Sequence, residues 1–144
     1  MRGYYGIGII NGKTEKNIGT LWRSAYIMGA QFIFTIGNRY KHQCSDTTKA
    51  PKKIPYFHYD TFEEFYKNMP KDCKLIGVEL DEKSIPIKNY VHFERSIYLL
   101  GAEDNGIPKE ILKKCHNIIQ LQGKICLNVA VAGSIVMFDR INKG

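Results

Sequence analysis

Hydrophobic and polar positions follow two rhythms along this chain. Tyr4 to Ile10, "YYGIGII", is a short apolar run broken by Asn11-Gly12, the pattern of a buried strand ending in a turn. From Asn17 to Gly29, "NIGTLWRSAYIMG", the spacing becomes helical: Leu21, Ala25 and Met28 fall on one side, Asn17 can cap the start and Gly29 the end. "AQFIFTIG" returns to strand. Asp60 to Met69 predicts a capped amphipathic helix with Phe62, Phe65, Tyr66 and Met69 at helical spacing. "KLIGVEL" and "SIYLLG" read as strands, "PKEILKKCH" (Pro108 to His116) as a helix with proline in its first turn, and "NIIQLQ" as a further strand. The chain closes on "CLNVAVAGSIVMFDR", Cys126 to Arg140, without a charge between Asn128 and Asp139. That stretch is too short to cross a bilayer, which takes about 20 apolar residues, so no membrane association is predicted. A helix apolar on every side must be enclosed on every side.

Strands alternate with helices, and most strands are apolar throughout rather than at every second position. This predicts an α/β fold: a mostly parallel sheet with helices on both faces. The 144 residues are the length of one ordinary domain, spanning 1–144. Ligands of such sheets sit beyond the carboxyl ends of the strands. The loops there are "INGKTEKN", "IGNRYK", "ELDEK", "GAEDNG" and "LQGKICLN".

Composition adds constraints. Hydrophobic residues make up 44% and aromatics 12%, enough for one packed core and against disorder. No signal-peptide cleavage pattern follows the first apolar run, so a cytoplasmic protein is expected. Cys44, Cys73, Cys115 and Cys126 show no CxxC spacing and form no zinc pattern with the histidines; reduced, packed thiols are expected and no metal. Lys plus Arg is 21 against 14 acids, a net charge of +7 that favours polyanions. Gly37 to Pro55 holds five Lys/Arg and one acid in a long basic loop. A phosphate-contacting role for Arg39, Lys41, Lys49, Lys52 and Lys53 competes there with plain solvation.

Candidate chemistry gathers in three constellations. Gly6-x-Gly8-x-x-Asn11-Gly12 fails the dinucleotide fingerprint, because position 11 is Asn and its first two glycines fall inside the apolar run. In "NIGTLWRSA", Arg23 lies in an apolar neighbourhood within two turns of Asn17. It either snorkels or pairs with an acid, or it is a cation at the mouth of a phosphate or ribose site. In "YLLGAEDNGIPKEIL", an apolar strand runs into Gly101, which permits close approach of a backbone or ligand, and Glu103 follows. In "NIIQLQGKICLNVAVAG", Asn128 is a strong N-cap for the last helix; Cys126, beside Leu127, is expected to be a packed thiol, the alternative being a reactive one near the helix N-terminus.

Together, in this order, the three resemble the motifs of the SpoU (TrmH-like) class of SPOUT RNA methyltransferases. Asn17, Gly19, Arg23 and Ala25 fit a first motif N-x-G-x-x-x-R-x-A. Leu99 to Ile107 resembles L-x-x-G-x-E-x-x-G-[LI] with a small offset at its start. Ile119-Gln120-Leu121 and Cys126-Leu127-Asn128-Val129-Ala130 resemble I-P-M…S-L-N-V-S-x-A, with Cys126 in place of serine and Gln120 in place of proline.

The resemblance implies a C-terminal deep trefoil knot, a homodimer with the last helix beside its interface, and S-adenosylmethionine as methyl donor. It implies 2′-O-ribose methylation of tRNA or rRNA. Arg23 would be base or electrostatic stabiliser, Asn17 would orient the hydroxyl or the arginine, Glu103 would hold Arg23 or the ribose, and Asn128 would line the pocket. Val78, Glu79, Gly101, Ile119, Leu121, Cys126 and Leu127 would hold the donor. The alternatives are a catalytically weakened RNA-binding module of the same fold and a base-methylating SPOUT enzyme.

Overall fold

A computed structural model describes residues 3–12, 15–37, 54–102, 104–121 and 128–143. The first apolar run forms strand β1 (Tyr4–Ile10), almost wholly buried. Helix α1 (Glu15–Met28), β2 (Phe32–Ile36), β3 (Tyr56–Tyr59), α2 (Phe62–Asn68), β4 (Lys74–Val78), β5 (Ile85–Pro86), a 3-10 turn (Ile87–Asn89), β6 (Arg95–Gly101), α3 (Lys109–Leu112), β7 (Asn117–Gln120) and α4 (Val129–Lys143) follow. The strands pair in the order β3-β2-β1-β6-β4-β7-β5. Every pairing is parallel, as the unbroken apolar runs predict.

The sheet is covered on both faces. One core unites Ile7, Ile9, Tyr98 and Leu100 with Ile18 and Leu21 of α1 and Val136 and Met137 of α4. The other unites Phe34, Leu75, Ile97 and Leu99 with Phe62 and Phe65 of α2 and Ile111 and Leu112 of α3. Alternate β6 residues thus serve opposite cores, the period of two that a strand imposes.

Several boundaries differ from expectation, each for a local reason. Helix α1 begins at Glu15, so Asn17 lies inside its first turn rather than capping it. Thr61 caps α2, its hydroxyl accepting from the Glu64 N–H at 3.1 Å. The helix expected over Pro108 to His116 is α-helical only over Lys109–Leu112; Lys114 and Cys115 continue it with tighter bonds to the carbonyls of Ile111 and Leu112. Strands β3 and β5 carry no clear apolar run because each lies at a sheet edge and buries only part of its surface. Pro86, lacking an N–H, is tolerated at such an edge.

Within one chain α4 is not enclosed all round. Val129, Ala130, Gly133, Val136, Met137 and Arg140 are buried, while Val131, Ile135, Phe138 and Ile141 are exposed. A Cβ on Gly133 would stand 2.5 Å from Leu21 Cδ1 and 3.0 Å from Leu100 Cδ1, so its small size serves packing inside the chain.

The charged end of α4 is also unlike the pattern. Arg140 is 1% exposed. Its guanidinium donates to the carbonyls of Phe93 (2.7 Å) and Glu94 (2.6 Å) and to the Tyr98 hydroxyl (3.0 Å), and lies 4.8 Å from the Tyr5 ring centre. Asp139 accepts from His92 at 2.7 Å, and Lys143 donates to the carbonyls of Ile87 and Tyr90. These charges tie the helix to the segment that leads into β6.

Candidate active site at the carboxyl ends of the strands

Two helices begin side by side where β1 and β6 end. Asn128 heads α4, and its side-chain oxygen accepts from the backbone N–H of Ala130 (2.8 Å) and Val131 (3.3 Å). This is the capping its residue type predicts. With the oxygen turned to those donors, the amide nitrogen points outward and donates to Asn17 Oδ1 at 2.9 Å. The bond spans 111 positions of sequence and joins the first constellation to the third. Behind it Ile18 and Leu21 of α1 pack in the same core as Val129 and Ala130 of α4.

Arg23 stands on α1 with its side chain exposed, and among the described residues it enters no hydrogen bond or ion pair. Of the two readings of that arginine, pairing with a described acid is therefore absent. Six positions separate it from Asn17, so the two leave the helix in different directions.

The loop after β6 folds back on itself. Ala102 bridges Gly106, whose N–H donates to the Ala102 carbonyl at 2.7 Å. A Cβ on Gly101 would overlap the Gly106 carbonyl carbon and stand 2.6 Å from Ile107 N, so the close approach at Gly101 is made by the chain's own backbone. Glu79, just past β4, clamps this loop: Oε2 accepts from the Ile107 N–H at 2.8 Å and Oε1 from the Leu80 N–H at 3.0 Å. Gly106 adopts a positive φ of 65° with the Glu79 carboxylate against its α-carbon, where a side chain would be strained and would collide.

Val78, Gly101 and Leu121 are half-buried at neighbouring strand ends, whereas the Ile119 side chain is wholly buried. The Ile119 carbonyl accepts from the Glu79 N–H at 3.0 Å. Gln120 is occupied too: its side-chain oxygen accepts from the Ser84 hydroxyl at 2.9 Å, pinning the link between β4 and β5 across the end of β7. Asn11, at φ 55°, turns the chain out of β1 and donates its N–H to the Ile36 carbonyl at 2.8 Å. The Asn-Gly pair signalled that turn; nothing local signalled the tie from Ser84 to Gln120, which depends on strand order.

Glu103, Cys126, Leu127, Arg39, Lys41, Lys49, Lys52 and Lys53 lie outside the described residues. Cys73 is buried and burial raises its thiol pKa; burial pushes the Cys115 thiol up to about 12. Both are packed groups rather than nucleophiles. Among the described residues no group of three or more His, Cys, Asp or Glu side chains could hold a metal ion. None of their helices is long and apolar enough to cross a membrane.

A parallel sheet covered by helices on both faces defines an α/β protein, a class whose ligands sit beyond the carboxyl ends of the strands. The sequence matches the SpoU rRNA Methylase family over residues 7–138, and the chain belongs to that family. It is 32% identical over 69 residues to the 23S rRNA (guanosine-2′-O-)-methyltransferase RlmB of Acinetobacter baylyi, a match spanning 46% of this chain and 28% of that protein. An AdoMet-bound rRNA methyltransferase from Sinorhizobium meliloti superposes with a TM-score of 0.85 at 19% identity, over 99% of this chain and 57% of that one. A structure concerned with the 2-OH methylation of C/U34 on tRNA superposes with a TM-score of 0.83 at 16% identity, over 98% of this chain and 96% of that one. At these identities the structural likeness is one of fold. The chain spans only about a quarter of the curated relative and just over half of the Sinorhizobium protein.

Proposed function

We propose that this chain is a cytoplasmic, S-adenosylmethionine-dependent RNA methyltransferase, one domain over residues 1–144, that methylates a ribose 2′-hydroxyl of tRNA or rRNA as a homodimer. The observation that carries the reading is the hydrogen bond from Asn128 to Asn17. It brings two of the family's motif residues together at the sheet edge where such ligands bind, on the helix that also bears Arg23.

The half-buried Val78, Gly101 and Leu121 fit an adenosyl group, being apolar and set on neighbouring strand ends. Glu79 makes two hydrogen bonds to backbone and keeps acceptor capacity for hydroxyls. Ile119 would contribute backbone and shape only, and Cys126 and Leu127 complete the expected set. The bound group supplies an activated methyl on a sulfonium. Arg23 would serve the attacking hydroxyl as its proton passes to solvent water, the guanidinium screening the growing negative charge. Asn17, held by Asn128, orients the hydroxyl or the arginine, and Glu103 holds Arg23 or the ribose. Arg39, Lys41, Lys49, Lys52 and Lys53 would contact RNA phosphates.

Strand order supports the knot. Segment 79–84 passes from β4 to β5 across the end of β7, which lies between them, the kind of crossing a knotted backbone needs. The dimer reading is supported by the exposed apolar side chains of α4, joined by Ile27 of α1 at 72% exposure. A groove of about 320 Å³ runs among Met28, Val131, Ile135 and Phe138. Contiguous apolar surface of this kind marks an interface.

The test is incubation of purified protein with labelled donor and total RNA, followed by digestion to nucleosides. Label should appear in 2′-O-methyl nucleosides and vanish in Arg23→Ala. Label on a base would replace the ribose reading, and label that survives Arg23→Ala would remove that residue from the mechanism. Light scattering should report a dimer, and Phe138→Lys a monomer.

A further inference from the structure

The face carrying α2 and α3 holds a second feature, remote from the asparagines and from the apolar surface of α4. A cleft of about 320 Å³ opens between the end of α2, the start of β4 and the turn before β7. Tyr66, Met69, Leu75 and His116 line it together with Lys71, Lys74 and Lys114, whose side chains are exposed at its rim. No carboxylate lines it. Asp72, the acid nearest in sequence, is turned to Arg95 at 2.6 Å. Among the described residues the three rim lysines enter no ion pair; Lys114 instead stands 5.5 Å over the Tyr66 ring. Tyr66 is 43% exposed, and its other contact is a stack on Phe62 at 5.4 Å.

Isolated surface lysines need no explanation beyond solubility. Three without an ion pair among the described residues, around a hollow with a half-exposed aromatic ring, have a more specific chemistry: cations for phosphates and a ring for a base. A duplex would offer the hollow no splayed base, whereas a single strand would. We infer that this cleft binds a single-stranded segment of the RNA substrate, one base lodging against Tyr66 and Leu75 and flanking phosphates meeting Lys71, Lys74 and Lys114. The inference rests on RNA being the substrate. Lys74 begins β4, whereas the candidate catalytic residues lie past the strands' carboxyl ends. A strand of five residues spans roughly 17 Å. The cleft therefore holds RNA away from the reacting nucleotide and bears on KM rather than kcat. The cleft also stays open when α4 is covered by a partner.

The test uses the full chain, a fluorescein-labelled mixed-sequence 12-nucleotide single-stranded RNA, and AMP as a small-nucleotide control. The Lys71→Ala/Lys74→Ala/Lys114→Ala variant changes exposed side chains only and should fold. Its RNA affinity should fall at least about 10-fold at low salt, and the slope of log K against log salt should drop by about 2, near 0.7 per lost phosphate contact. Tyr66→Leu should weaken binding about 5-fold or more and leave the slope unchanged. Unaltered RNA affinity and slope in the triple variant would overturn the inference. So would AMP binding that depends on the lysines while RNA binding does not. S-adenosylmethionine titration by calorimetry is run on parent and triple variant alike. Donor binding retained with RNA affinity unchanged refutes the cleft alone; donor binding absent from the parent refutes the methyltransferase reading, and the RNA arm still decides the cleft.

Discussion

Removing Asn128 tests the joint on which the candidate site depends. In Asn128→Ala two effects combine. The N–H groups of Ala130 and Val131 lose their cap, which costs about 1 kcal/mol, with a range of about 0.5–2. The bond to Asn17 also disappears, worth about 0.5–1 kcal/mol for an exposed neutral pair. A total near 2 kcal/mol is expected. Asn128→Ser separates the two, because a serine hydroxyl still caps but does not reach Asn17; its cost should be about 0.5–1 kcal/mol. Asn17→Ala alone is a poor probe, since alanine's better helix propensity offsets about 0.5 kcal/mol of the loss. A double-mutant cycle of Asn17→Ala with Asn128→Ser cancels that offset and should leave a coupling of about 0.5–1 kcal/mol. Urea unfolding followed by circular dichroism measures it, at one fixed protein concentration in case the chain associates. Additivity within about 0.3 kcal/mol would show that the bond carries no coupling. A loss in Asn128→Ser equal to that in Asn128→Ala would remove the cap from the account.

Other perturbations bear on the second half of the chain. Arg140→Met leaves the Phe93 and Glu94 carbonyls and the Tyr98 hydroxyl without their buried donor. It should cost about 3 kcal/mol or more in urea unfolding, and a loss under about 1 kcal/mol would contradict the role given to Arg140. His92 is held neutral: Arg140 donates to the Tyr98 oxygen, the Tyr98 hydroxyl to Nδ1, and Nε2–H to Asp139. Burial, opposed by Asp139 and assisted by Arg140 and Lys143, lowers its pKa. The unfolded chain therefore takes up the proton first. The contribution to stability is full above about pH 6.5 and declines as pH falls from there toward the lowered folded value. The parent protein should lose stability faster than His92→Gln across that window, and parallel curves would refute the assignment. In Gly101→Ala the new methyl meets the Gly106–Ile107 backbone. A cost of about 1–3 kcal/mol is expected, together with at least 10-fold weaker S-adenosylmethionine binding by calorimetry. Donor affinity unchanged in a folded variant would free the 102–106 loop from the site.

The sequence alone determined the class of fold. Strands such as "YYGIGII" and "SIYLLG" are apolar at every position because both faces of the sheet are covered, and that pattern is local enough to read. The capping of α4 by Asn128 was equally legible, since a cap is set by the residue and the few N–H groups that follow it. So was the spacing of the family's motifs. What the sequence could not convey is everything set by contacts between distant segments. The edge strands β3 and β5 have short, mixed patterns because an edge buries only part of a strand. Nothing local to the sequence marks Arg140 as buried; only the approach of segment 93–98 supplies the carbonyls and hydroxyl that make its burial tolerable. Gly101 was readable as a point of close approach, but that the approaching group is the Gly106–Ile107 backbone follows from the fold-back clamped by Glu79. The hydrogen bond across 111 positions from Asn128 to Asn17 exists because the sheet sets two helix starts side by side, an adjacency that no local rule of composition or period encodes.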